Sequence, residues 1–220
     1  MTLEDLGWND LFAAHFAPWA EQGLVPARVV AQKGLTQVST GEAEHYAELS
    51  GKLRREVEMP GGGAGYPAIG DWVALRPPTG HGQALIHAVL PRKSKFSRKV
   101  AGQRTEEQVV AANIDTIFLV SGLDADFNPR RIERYLTAAW DSGARPVVVL
   151  NKVDKCEDPE GCLLEAKAVT MGVPVHRVSA KKGEGVEELE VYLGWGQTVG
   201  LLASNAALHA AAAARLREVF

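Results

Sequence analysis

Two hydrophobic rhythms follow one another along this chain. Up to about residue 90, apolar side chains come in short β-prone runs, "ARVVAQ", "LTQVST", "DWVALRP" and "QALIHAVL", parted by glycine and proline punctuation such as "GGGAGYP". Several short strands of this kind predict a small OB-type β-barrel. A helical lead-in over residues 1–23 precedes them, with Leu11, Phe12, Phe16 and Trp19 at helical spacing until "EQGLVPA" breaks the pattern. Further on, "IDTIFLVSG", "RPVVVLNK", "VPVHRVSA" and "QTVGLLA" are continuously apolar, as strands covered on both faces are. Helical segments at 128–142, 159–171 and 185–193 alternate with these blocks. Strand, helix, strand in repetition predicts a parallel α/β sheet.

The change of rhythm divides the chain into a barrel with its lead-in at 1–91, a linker at 92–109 and an α/β domain at 110–220. The linker opens with "RKSKFSRK", which sets Arg92, Lys93, Lys95, Arg98 and Lys99 around one aromatic, Phe96. The chain closes on "SNAALHAAAAARLREVF", an alanine-rich helix former with Ser204 or Asn205 as its cap.

Composition narrows the function. At 220 residues and 46% hydrophobic, the chain can bury the cores of two small domains. A formal charge of -3 excludes a uniformly basic coat, so any RNA contact is expected to be local. Cys156 and Cys162, with no neighbouring histidine, cannot make a disulfide framework or a four-ligand zinc site. A reduced cytoplasm without a disulfide-linked partner is the expected setting. The acidic start "MTLEDLGWND" lacks a continuous apolar stretch, which argues against a signal peptide and against membrane association.

The tetrapeptide "NKVD", 151–154, follows the apolar run "RPVVVL". A carboxylate at a strand end accepts two parallel hydrogen bonds from N1 and N2 of guanine, a donor pair adenine does not present, and Asp154 suits that role. Asn151 would bridge the base and neighbouring loops through its amide, while the stem of Lys152 lies against the purine face. The plain structural reading makes Asp154 the cap of the next helix. Carboxyl ends of parallel strands are where α/β sheets bind ligands, which favours the first reading. "SAKKG", from Ser179, ends the next strand: there Ala180 would offer its N–H to guanine O6 and Lys181 would cover the opposite purine face. An ordinary polar turn closed by Gly183 is the alternative for that loop.

No "GxxxxGK[ST]" phosphate loop occurs. Gly65 and Gly70 have its interval, but Asp71 and Trp72 follow, so that stretch reads as a barrel loop. A strand, loop and helix do come after the guanine motifs, as "QTVGLLA", "SNAAL" and the alanine-rich segment. Base-reading motifs ahead of a phosphate-loop position resemble a circularly permuted GTPase. The chain as a whole is similar to the ribosome small-subunit-dependent GTPase A family, through "ARVVAQKGL" and "GDWV" in the barrel, "RKSKFSRK" in the linker, and "EEQVVAANIDTIFLVSGLDADFNPRRIERYL" in the GTPase domain.

That resemblance implies an OB-type barrel, a permuted P-loop GTPase domain binding GTP or GDP with Mg2+, and a zinc-binding domain. The family acts on the 30S ribosomal subunit and its 16S rRNA late in maturation. Two departures qualify it. Where the family has a glycine-rich loop ending in lysine and a hydroxyl residue, alignment on "TVGLL" puts Ala203, Ser204, Asn205, Ala206, Ala207, Leu208, His209, Ala210 and Ala211. Lysine would bridge the β and γ phosphates and the hydroxyl would hold magnesium; the imidazole of His209 is short and Ala210 has nothing to offer. The chain also ends at Phe220, ahead of the family's switch regions and zinc domain, so the Mg2+ and Zn2+ sites are expected to be missing and GTP hydrolysis weak or absent. No residue is assigned a catalytic role. Asp158 to Gly161 reads as a helix start rather than a magnesium-sensing motif.

OB barrels bind single strands with basic grooves and aromatic platforms, which makes Trp72 and Phe96 candidate stackers and the 92–99 cations candidate phosphate contacts. The rival function is a non-enzymatic RNA-binding or ribosome-associated module with a vestigial GTPase scaffold. A Rossmann dinucleotide enzyme ranks last because its glycine fingerprint is missing.

Overall fold

The computed structural model describes residues 1–79, 82–100 and 106–203, with backbone alone at 98–100 and 106. Ser204, Asn205, His209, Ala210 and the alanine-rich helix therefore lie outside the described residues. The chain divides into two compact units, Met1–Ile114 and Asp115–Phe220.

In the first unit, helix α1 (Asp10–Ala20) begins at Asn9, whose side chain accepts from the backbone N–H of Leu11 and Phe12. Five strands close into a barrel in the order β1-β2-β3-β5-β4: β1 (Val25–Lys33), β2 (Leu35–Ser39), β3 (Glu44–Leu49), β4 (Trp72–Arg76) and β5 (Ala84–Val89). The β3–β5 pairing is parallel and the remaining ones antiparallel, with helix α2 (Gly51–Glu58) inserted between β3 and β4. This is the OB-type topology expected from the sequence. Ala27, Val29, Val38, Val73, Leu75 and Ile86 fill the barrel and are all but inaccessible. Neither β3 nor α2 shows in the hydrophobic pattern: β3 buries only Ala47, and α2 buries only Leu53 and Val57, one turn apart.

The stretch expected as a linker is paired instead. Strands β6 (Lys95–Val100) and β7 (Glu106–Ala112) form an antiparallel ribbon that belongs to the first unit. Its base is fixed to the barrel side by backbone and side-chain hydrogen bonds. The Ala112 N–H donates to Ile69 O at 2.8 Å, and buried Asn113 accepts from Lys93 N–H while donating to Gly70 O, both at 3.0 Å. Gly70 has φ +89°, and a Cβ there would lie 2.1 Å from Ala112 O, so only glycine fits. The division between the units accordingly falls at 114/115, past the end of the expected 92–109 linker.

The second unit is a four-stranded parallel sheet in the order β10-β9-β8-β11: β8 (Thr116–Gly122), β9 (Arg145–Asn151), β10 (Val175–Arg177) and β11 (Val199–Ala203). All seven residues of β8 are buried, matching the continuous apolar block that predicted it. Helix α3 (Pro129–Ser142) runs from an Asn128 cap to a left-handed Gly143, and α4 (Pro159–Thr170) starts at Asp158, whose side chain accepts from Gly161 N–H. The third expected helix is a 3-10 segment, Val186–Tyr192, burying Val186 and Leu189.

Candidate nucleotide site

Parallel strands bring their carboxyl ends to one edge, and β9 and β10 are neighbours there. The loops leaving them are therefore adjacent by topology alone. Asn151, the last residue of β9, is buried, and its Oδ1 accepts both the Lys152 N–H at 2.7 Å and the Ala180 N–H at 3.0 Å. One side-chain oxygen thus ties the two loops together. The Val153 N–H donates to Val178 O at 3.2 Å and adds a second tie.

Asp154 faces the same junction. The buried Ser179 Oγ donates to Asp154 Oδ1 at 2.7 Å, and this bond, more than the nearby Lys182 and Lys155, draws the Asp154 carboxyl below the ordinary aspartate value. The carboxylate stays charged and partly exposed, as a base acceptor must. Asp154 does not cap α4; Asp158 does. Ser179 serves its own loop as well, since its Oγ accepts from Lys182 N–H at 3.2 Å and its carbonyl from Gly183 N–H at 2.7 Å. The turn read from "SAKKG" is present, closed by Gly183.

Lys152 takes the left-handed conformation at φ 67°, uncommon for a residue with a Cβ. Its Nζ reaches Asp124 Oδ2 at 2.5 Å, and the hydrogen bond from Lys152 is the main cause of a lowered Asp124 carboxyl. Asp124 was missed in the sequence. It stands just past β8, whose last residue Gly122 is in register with Asn151; the following Leu123 N–H donates to Asn151 O at 2.7 Å. The strand-end rule that singled out Asn151 and Ser179 applies equally there. Lys181 is exposed on the adjoining loop. Ala203 closes β11 at the same edge, paired with Val120 of β8.

Of the proposed RNA contacts, Trp72 and Arg92 need correction. Trp72 is wholly buried, 4.7 Å from the Trp8 ring and 5.8 Å from Phe12, in the core beneath α1. Its ring has no face left for a base. Arg92 is committed to Asp71 through Nε and Nη2, at 2.7 and 2.6 Å, and to the carbonyls of Ala64 and Tyr66. Lys95 pairs with Glu107 across the ribbon at 2.8 Å, while Phe96 is half-buried. Lys93 is exposed, and Arg98 and Lys99 lend backbone to β6.

The sequence pattern of the RsgA GTPase family covers residues 89–204. A small ribosomal subunit biogenesis GTPase RsgA from Opitutus terrae is 46% identical over 216 residues, 94% of this chain. The chain belongs to the RsgA GTPase family. An RsgA from Syntrophotalea carbinolica is 40% identical over 94% of the chain. In both comparisons the chain spans 58% of the relative's length. Among solved structures, YjeQ from Thermotoga maritima superposes with a TM-score of 0.69 at 24% identity, covering 90% of this chain and 66% of that one. YloQ, described as a circularly permuted GTPase, gives 0.61 at 15% identity, covering 86% and 62%. These two likenesses establish the fold: an OB-type barrel and a permuted GTPase-like sheet.

The zinc that RsgA membership brings into question does not fit the cysteines. Cys156 Sγ and Cys162 Sγ are 3.7 Å apart, and among the described residues no group of three His, Cys, Asp or Glu side chains is arranged to hold a metal. Burial, and then Cys156, push the Cys162 thiol up to about 11, away from the thiolate a zinc ligand must be. A guanine edge does fit the loop junction, because Asp154 offers a charged, oriented acceptor there.

Proposed function

We propose that the Asn151–Asp154 and Ser179–Lys181 loops take up a guanine nucleotide, GTP or GDP, in a protein of small ribosomal subunit biogenesis. Its partners would be the 30S subunit and 16S rRNA in the cytoplasm. The observation that carries this reading is the pair of ties between the loops: Asn151 Oδ1 joins them while Ser179 Oγ orients the Asp154 carboxylate. Asp154 would accept from guanine N1–H and N2–H, discrimination arising because adenine leaves the carboxylate unpaired. Lys152 and Lys181 would lie along the purine faces. The Ala180 N–H is engaged with Asn151, so its donation to guanine O6 would be shared with, or exchanged from, that bond.

Hydrolysis is not proposed for this chain by itself. Ala203, Ser204, Asn205, His209 and Ala210 stand where the family's loop grips phosphate and Mg2+; His209 lacks a lysine's reach and Ala210, at the position of the required hydroxyl, has none. The base would then bear most of the recognition. Lys93, ahead of the ribbon, and Lys95, Phe96, Arg98 and Lys99 on it remain the proposed rRNA contacts.

Calorimetry with GDP and ADP tests the base reading. GDP should bind and ADP should not, and Asp154→Ala should weaken GDP roughly ten- to hundredfold. Equal heats for the two nucleotides, or none for either, would sink it.

A further inference from the structure

Cys156 and Cys162 are used neither by the candidate nucleotide site nor by a metal. Their sulfurs are in contact at 3.7 Å, and both residues are only partly buried. Cys156 ends the 3-10 turn Val153–Lys155, two residues beyond Asp154, while Cys162 lies in the first turn of α4. The two elements are joined by Glu157 and Asp158, and Cys156 itself has extended backbone at φ -91° and ψ 129°. A disulfide needs the sulfurs to close from 3.7 Å to about 2.05 Å, an approach that the two side chains and this short connection would share.

We propose that Cys156 and Cys162 are a reversible dithiol–disulfide pair, oxidised by a peroxide, that ties the exit of the Asn151–Asp154 loop to the start of α4. The Cys156 sulfur attacks one peroxide oxygen. The O–O bond breaks, the leaving oxygen departs as hydroxide or alkoxide and takes up the thiol proton, and Cys156 becomes the sulfenic acid. The Cys162 sulfur then attacks the Cys156 sulfur; the S–O bond breaks and the hydroxide leaves with the Cys162 proton as water. Two thiols are oxidised by two electrons in all, and the peroxide accepts both. Cys156 goes first because burial holds Cys162 as the thiol, and only a thiolate attacks peroxide readily. A thiol, by exchange, restores the reduced pair.

The consequence is mechanical. A disulfide would close the loop between residues 156 and 162 and remove the independent motion of the Val153–Lys155 turn and the α4 start. The proposal stands whether or not the loops bind guanine.

The full chain is treated with hydrogen peroxide under native conditions, alkylated with iodoacetamide and mapped by mass spectrometry. A Cys156–Cys162 cross-link within one chain, two hydrogen masses lighter and erased by dithiothreitol, is expected. Cys156→Ser should leave Cys162 alkylatable at the same peroxide dose. Amide exchange across residues 153–162 should slow in the oxidised form. Retention of both thiols, sulfinic acids at separate cysteines, a bridge between chains, or a cross-link without slower exchange would each overturn the proposal.

Discussion

Asp71 in the barrel unit and Asp124 in the sheet unit each hold one basic side chain, Arg92 and Lys152. The surroundings differ. The Asp71 side chain is fully buried and that of Arg92 only 12% exposed, while Asp124 and Lys152 are 30% and 31% exposed. The barrel pair is wrapped by further bonds, from Ala68 N–H to Asp71 at 2.7 Å and from Arg92 to two carbonyls. The sheet pair is less enclosed, with a further bond from Asp126 N–H to Asp124 at 3.3 Å. A sealed ion pair has no capacity left for a ligand and acts as architecture; an open one can exchange its partner. Burial, not residue type, separates the basic residues that hold the fold from those that could serve a site.

The largest expected effect tests the sealed side. Asp71→Ala leaves a buried guanidinium without its anion and should cost about 3–5 kcal/mol, read as the shift in a urea unfolding curve. A loss under about 1 kcal/mol would mean that the pair is not architectural. Next comes Gly70→Ala, which combines a left-handed backbone with a clash at Ala112 O and should cost about 2–3 kcal/mol, with faster amide exchange in β7. On the open side, Asp124→Asn should cost at most about 1 kcal/mol, and less still in high salt.

The smallest effect is on pH dependence. Hydrogen bonds from Lys152 and from Ser179 lower the Asp124 and Asp154 carboxyls from the ordinary value of 3.8. A carboxyl lowered in the folded state binds its proton more tightly when unfolded, so the stability it lends is complete above 3.8 and fades as pH falls through the folded values. Acid unfolding curves below that point should therefore be less steep in Asp124→Asn than in the parent chain. Equal steepness would remove the open pair from the account.

The strands most legible in the sequence were those whose burial is uniform. β8, β9 and β11 are continuous apolar blocks, and the blocks named the sheet. β3 was invisible because Tyr46 is exposed and Glu44, His45 and Glu48 are polar; the barrel neighbours, not the side chains, make it a strand. The 92–109 stretch read as a linker because its charges look solvated, yet Lys95 forms an ion pair with Glu107 across the ribbon, and the backbone pairing cannot be seen one residue at a time. Trp72 was ambiguous for the opposite reason. A tryptophan on a strand serves a core or a platform equally well until the position of α1 is known.

By itself the sequence determined that a barrel precedes a parallel sheet and the order of that sheet's strands along the chain, since hydrophobic period reports whether a segment is covered on one face or two. It also placed Asn151, Lys152, Asp154 and Ser179 at or just past strand ends, where α/β sheets bind ligands. Only the tertiary structure decided which charged and aromatic residues are spent. Asp124 meets Lys152 because β8 lies beside β9, and Arg92 meets Asp71 because the ribbon base returns to the barrel. Both contacts join residues distant along the chain, and no local pattern records a distance that folding alone creates.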